Sequence, residues 1–352
     1  MLPLKRQVMS GFVQILCSRL HVTSLHSLTE QLVFMRYSVY DRFRGTMLGA
    51  LVGESLASSR DIQSHTRTDL DSIAVISAQS LIELGLLDLD DWRNRQQQES
   101  LQLDANDTTF SKRILSTLPV ALFFHENTIK LRQNLLSVLQ IWEDDPVLRD
   151  GTLAVGYAIA QSLTEKLHPR TLIPDTIAFI GQTPTSIPQQ LSKVNSLLEQ
   201  GAGLDKVQTE LSREDKYSNV MAMAFYCFLS TLEDYRLAVL RATHNGDVWR
   251  KDPWRLHSQS ISAITGALSG SYNSTAGIPV AWRGFHSPAD SAGSGLTNFS
   301  LMVELAKPLV AVWSGVYNLA LDSSELKAGG SVMFEEQAPL CVFASPRVIR
   351  FR

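Results

Sequence analysis

This sequence predicts an all-α protein, and three observations carry the expectation. Apolar residues recur at helical spacing from Asp41 onward. The strict alternation that marks half-buried strands is absent. No internal repeat or low-complexity linker divides the helical stretch, so one domain is expected over residues 35–323.

The first 34 residues lie outside that pattern. No acid precedes Glu30, whereas Lys5, Arg6 and Arg19 are basic and serines are frequent. That is the bias of an organelle transit peptide, and an upstream start with Met35 as the true first residue explains it equally well. Gln14 interrupts the short apolar stretch, which argues against a secretory signal. Residues 1–34 are expected to be a leader or a mis-assigned start, without a packed fold.

Phe43, Met47, Leu48, Leu51 and Val52 then define one apolar helix face. Gly45, Gly49 and Gly53 repeat every four residues on the same helix. Each lowers helix propensity by about 1 kcal/mol against alanine. Three in register predict a smooth ridge where another helix packs closely. A second helix is expected over 71–86, with Ile73, Ser77, Leu81 and Leu84 as its stripe and Gly85 near its end. Residues 88–110 are polar and carry Gln96, Gln97 and Gln98, so they read as a surface connection. Helical patterns resume at 112–124, 128–142 and 150–165. Pro169, Pro174, Pro184 and Pro188 are expected to break long helices across 168–190. Further helices are expected at 189–200, 217–230, 233–243, 258–272 and 298–321. Residues 324–352, with Pro339 and Pro346, read as a loosely attached tail.

Composition narrows the function classes. The chain has 352 residues, 44% hydrophobic and 19% charged, enough for a core that needs no disulfide or structural metal. A net charge of −3 points away from nucleic acid or an anionic membrane surface as the main partner. Cys17, Cys227 and Cys341 are odd in number and far apart, which gives no disulfide framework and no CxxC metal signal. Reduced thiols fit a cytoplasmic protein, or an organelle one if the leader is a transit peptide. No apolar run reaches the roughly eighteen residues a membrane span needs. The nucleotide-loop, zinc-protease and serine-hydrolase motifs are absent.

Three ordered segments carry a resemblance. They are Arg42-Phe43-Arg44-Gly45-Thr46-Met47-Leu48-Gly49-Ala50-Leu51-Val52-Gly53-Glu54-Ser55-Leu56, then Ser262-Ala263-Ile264-Thr265-Gly266-Ala267-Leu268-Ser269-Gly270-Ser271-Tyr272, then Gly277-Ile278-Pro279-Val280-Ala281-Trp282. Leu118-Pro119-Val120-Ala121-Leu122 is a weaker fourth. Together they resemble the ADP-ribosylglycohydrolases, whose opening helix reads R-F-R-G-x-L-L-G-x-x-x-G-D-A-L-G. The resemblance implies an orthogonal multi-helix bundle with a cleft that holds two magnesium ions and cleaves ADP-ribose from a protein side chain or related group. It further implies ligands from a T-D-D-T motif and from G-G-D-T-D-T just before the second segment, because hard dications want oxygen donors.

The ligand positions depart from that pattern. Thr68-Asp69-Leu70-Asp71 stands for T-D-D-T. Thr68 and Asp69 keep oxygens, Leu70 has no donor, and Asp71 replaces a threonine. Asp69 and Asp71 are equally a helix cap and a first-turn acid. Counting back from Ala263, the D-T-D-T positions hold His257-Ser258-Gln259-Ser260, with no carboxylate. Asn245-Gly246-Asp247 is either a displaced G-G-D or a plain turn. Glu54 replaces the aspartate of G-D-A-L-G, and Asp61 falls where a catalytic glutamate would sit. Asn106-Asp107-Thr108-Thr109 imitates a ligand motif out of order and reads as a helix cap. The expected site is thus Asp61 as residual acid, with Thr68, Asp69 and Asp71 as residual metal donors. Two functions stay open. One is a degenerate member that binds an ADP-ribose-like ligand or a protein partner and needs no cofactor. The other is a magnesium-dependent hydrolase that removes ADP-ribose from a protein or small-molecule acceptor.

Overall fold

The computed structural model describes residues 37–58, 69–98, 109–140, 145–211, 216–244, 255–283, 303–317 and 341–342. The chain divides into two units, Met1–Ser38 and Val39–Arg352, and the architecture below is that of the second. Its described helices are α1 (Val39–Ser58), α2 (Asp69–Leu84), α3 (Leu89–Gln98), α4 (Thr109–Ser116), α5 (Leu118–Phe123), α6 (Thr128–Leu139), α7 (Pro146–Leu163), α8 (Leu172–Ile180), α9 (Ile187–Glu199), α10 (Leu204–Glu210), α11 (Lys216–Leu229), α12 (Tyr235–His244), α13 (Arg255–Gly277), α14 (Val280–Arg283) and α15 (Ala306–Trp313). Strand appears among the described residues as one antiparallel pair, β1 (Val316–Tyr317) with β2 (Cys341–Val342). None of the described helices is long and apolar enough to cross a membrane.

The glycine ridge does what its spacing predicts. α1 and α13 run antiparallel with backbone against backbone. A Cβ added at Gly45 would lie 2.5 Å from the Gly270 carbonyl oxygen. One at Gly49 would overlap the Gly266 carbonyl, and one at Gly53 the Ser262 carbonyl. The relation is mutual, since Gly266 and Gly270 present the same bareness to Gly49 and Gly45. Apolar side chains flank the seam on both sides. Phe43, Met47 and Ala50 enter the main core. Leu48, Leu51 and Val52 enter a second cluster with Tyr235, Val239 and Ile278. Tyr235, fully buried, donates its hydroxyl to the Gly49 carbonyl at 2.8 Å.

Arg42 fastens α1 from the other end. Its guanidinium donates to the Ser162 carbonyl at the end of α7 and lies 2.6 Å from Glu165. A cation there meets both a carboxylate and the negative end of a helix. The arginine of the resembling motif therefore serves the scaffold.

Several helix boundaries differ from expectation for readable reasons. The polar stretch 88–110 contains α3, because Asp88 accepts from the backbone N–H of Asp90 and Asp91 and Trp92 is buried beneath. Arg95 then bridges Asp91 and Glu83, tying α3 to α2. The apolar run 112–124 splits at Thr117, where Pro119 fits the first turn of α5. The proline-rich 168–190 still holds α8 and the start of α9, with Pro174 and Pro188 in first turns, where the missing N–H costs nothing. α10 was not expected. α2 does end as predicted, with Gly85 at φ 66° just past Leu84 and its N–H returned to the Leu81 carbonyl at 2.9 Å. The tail reading over 324–352 meets one described feature, the pairing of Cys341 with Tyr317 and Val342 with Val316.

Candidate functional site

The antiparallel seam delivers the last turns of α1 and the first turns of α13 to the same place. α4 crosses beside them. Glu54, Ser111, Lys112, Leu115, Gln259, Ser260 and Ala263 line a small pocket there. Lys112 Nζ stands 3.6 Å from Glu54 Oε1, with the two side chains only 17% and 23% exposed. An acid near the C-terminal end of α1 opposes that helix's dipole, and the ammonium offsets it. The hydroxyls of Ser111 and Ser260 are hydrogen-bonded at 2.8 Å, joining α4 to α13.

The residues singled out in the sequence are placed unevenly. Asp61 and Thr68 lie outside the described residues, as do Asn106 to Thr108 and Asn245 to Asp247. Asp69, Leu70 and Asp71 form the first turn of α2, and His257 sits in the first turn of α13; their side chains are outside what is described. Gln259 and Ser260 do reach the pocket, together with Glu54. Among the described residues, no three His, Cys, Asp or Glu side chains come together as a group able to hold a metal ion.

Ser111 and Lys112 were missed in the sequence. They lie in the first turn of a short helix, just past the Asn106–Thr109 segment that read as a cap, and only the chain's path brings them to Glu54 and Ser260. Other polar groups of the core lie apart from the pocket lining. Asp150 is fully buried on α7 and accepts from Thr183 and Thr185 at 2.5 Å each and from Arg149 at 3.0 Å, which pins the 181–186 turn. His125 has Nδ1 2.6 Å from the Leu122 carbonyl and packs against Phe43 and Trp313. Burial pulls its pKa down to about 4, so the ring is neutral at pH 7.

Fold and cleft together define a helical bundle of the ADP-ribosylglycohydrolase type. Among solved structures, an "ADP-ribosylglycohydrolase-related protein complex" matches with a TM-score of 0.53 over 78% of this chain and 99% of that chain, at 15% identity. At that identity the likeness speaks for the fold. No curated protein sequence matches the chain. The sequence profile of the ADP-ribosylglycohydrolase family matches residues 35–286, and the chain belongs to that family.

Proposed function

We propose that this chain is a catalytically degenerate ADP-ribosylglycohydrolase that acts by binding, as a receptor for an ADP-ribose-like ligand or as a regulatory partner of another protein. The observation that carries the reading is the chemistry of the pocket. Two positions that stand where the family places metal-ligating residues, Gln259 and Ser260, offer an amide and a hydroxyl, and the Ser260 hydroxyl is engaged by Ser111. A lysine ammonium lies among them. A dication within about 6 Å of that ammonium would be repelled by roughly 5 kcal/mol at an effective dielectric near 20. A donor set of this kind does not fit a pair of magnesium ions, which need several carboxylates to offset four positive charges. Asp69 and Asp71 remain at the start of α2, which keeps a hydrolase with one metal as the second reading.

The two readings part in one experiment. Purified protein is heated with and without millimolar magnesium, and release of ADP-ribose from ADP-ribosylated protein is followed. A metal at a hundred times its dissociation constant would stabilise the fold by about 2.7 kcal/mol. The expected result is neither stabilisation nor release. Magnesium-dependent release that Asp69→Ala abolishes would replace this proposal with the hydrolase. In the converse direction, Leu70→Asp, His257→Asp and Gln259→Asp combined are expected to create a magnesium-dependent rise in melting temperature, because carboxylates return to both halves of the site.

A further inference from the structure

We infer that Lys112 is the resident cation of the cleft, a covalently supplied positive charge that takes the electrostatic place of the family's metal ions and holds the cleft together without them. The inference rests on the reading that the donor set does not fit a metal pair, and it adds the group that does the work instead. The geometry is specific. The ammonium lies 3.6 Å from Glu54, in a pocket also lined by Gln259 and Ser260, two residues standing at the family's metal-ligand positions. Both members of the ion pair are largely withdrawn from water, so neither charge is tolerated there without an opposite one. The neighbouring Ser111–Ser260 hydrogen bond fixes the first turn of α4 on α13, which aims the next residue, Lys112, into the pocket. In a metal-holding cleft, the elements around the site are joined through ions that exchange with solvent. Here α4 is joined to α1 through an ammonium that cannot leave, and to α13 through the Ser111–Ser260 hydrogen bond. The cleft is thereby insensitive to chelators and to the supply of divalent ions.

The test is a thermal double-mutant cycle on the full chain with Lys112→Met, Glu54→Gln and the pair combined, each melted in EDTA and in magnesium or manganese chloride. Each single variant is expected to melt several degrees below the unmodified protein, and the double to recover most of that loss. Lys112→Arg, which keeps the charge, is expected to melt close to the unmodified protein. Lys112→Met alone is expected to regain stability when a divalent ion restores a positive charge beside Glu54, and the double variant is expected to lose that response. If Lys112→Met does not fold while the double does, the coupling is present and the inference stands. Additive losses in the cycle, or a Lys112→Met variant as stable as the unmodified protein in EDTA, would overturn it. A failure of the functional reading would look different, as release of ADP-ribose by the unmodified protein, whatever the cycle returns.

Discussion

The two ends of the α1–α13 pair obey different rules. Along Gly45 and Gly49 the helices touch through backbone, and what matters is the absence of side chains. Beside the last of these contacts, Gly53 against Ser262, a pocket opens toward α4 at Glu54, Gln259 and Ser260, and what matters there is which side chains are present. The first requirement is steric and admits almost no substitute. The second is chemical, and a new set of groups can satisfy the same space. A chain can therefore keep the scaffold of a hydrolase while the atoms that performed hydrolysis are exchanged, because the two properties reside in different parts of the residue.

The sharpest way to break that comparison is to fill the seam. Gly266→Ala places a methyl on the Gly49 carbonyl, with no flexible side chain able to give way. A loss of at least about 3 kcal/mol is expected in urea unfolding, as for severe core overpacking. A loss under about 1 kcal/mol would mean that the helices separate easily and the seam is not what positions the cleft.

His125, which packs on Phe43 of α1, gives the next effect. Its ring has a pKa of about 4 in the fold against 6.5 in the unfolded chain. The unfolded state therefore binds its proton first as pH falls. Stability is full above pH 6.5 and declines between 6.5 and 4, by roughly 3 kcal/mol for a shift of this size. Replacing His125 with Gln is expected to flatten the dependence of unfolding free energy on pH in that window, and an unchanged slope would refute the assignment.

Ser274 closes the seam at its far end, beside Gly45, with φ 58° and ψ −171° inside α13. Such a backbone favours glycine and costs another residue of order 1–3 kcal/mol. The Ser274 hydroxyl recovers part of this by accepting from the Ala276 N–H at 3.1 Å. Ser274→Gly is expected to raise stability by about 1 kcal/mol in the same urea assay. The smallest effect belongs to Gln259, on the pocket's α13 side. Gln259→Ala is expected to change stability by less than about 1 kcal/mol, since the residue is only half-buried. A Gln259 effect as large as that of Gly266→Ala would erase the distinction between seam and pocket.

One side of the seam was legible in the sequence because its signal is local and redundant, three glycines at one spacing on α1 with apolar residues beside them; that α13 is the partner came only with the structure. α3 was hidden because its surface is polar throughout and one residue, Trp92, anchors it. Pro174 and Pro188 misled because a proline that breaks a helix and one that begins it look alike without the chain's path. In the pocket, the positions of Gln259 and Ser260 could be counted from the Ala263-Ile264 segment. Lys112 could not, because its importance depends on a crossing of α4 over α1 and α13 that no spacing encodes.

The facing glycines also act as a thread. On both helices the bare positions recur every four residues, so a slide by one or two residues would drive Thr46, Ala50 or Ala267 into an opposing carbonyl. The next step at which the ridges mesh again is about 6 Å away. α1 and α13 thus have a pitch rather than a track, and they cannot creep past one another to widen or narrow the pocket. The pocket walls that carry Glu54 on α1 and Gln259 on α13 are thereby held at constant separation.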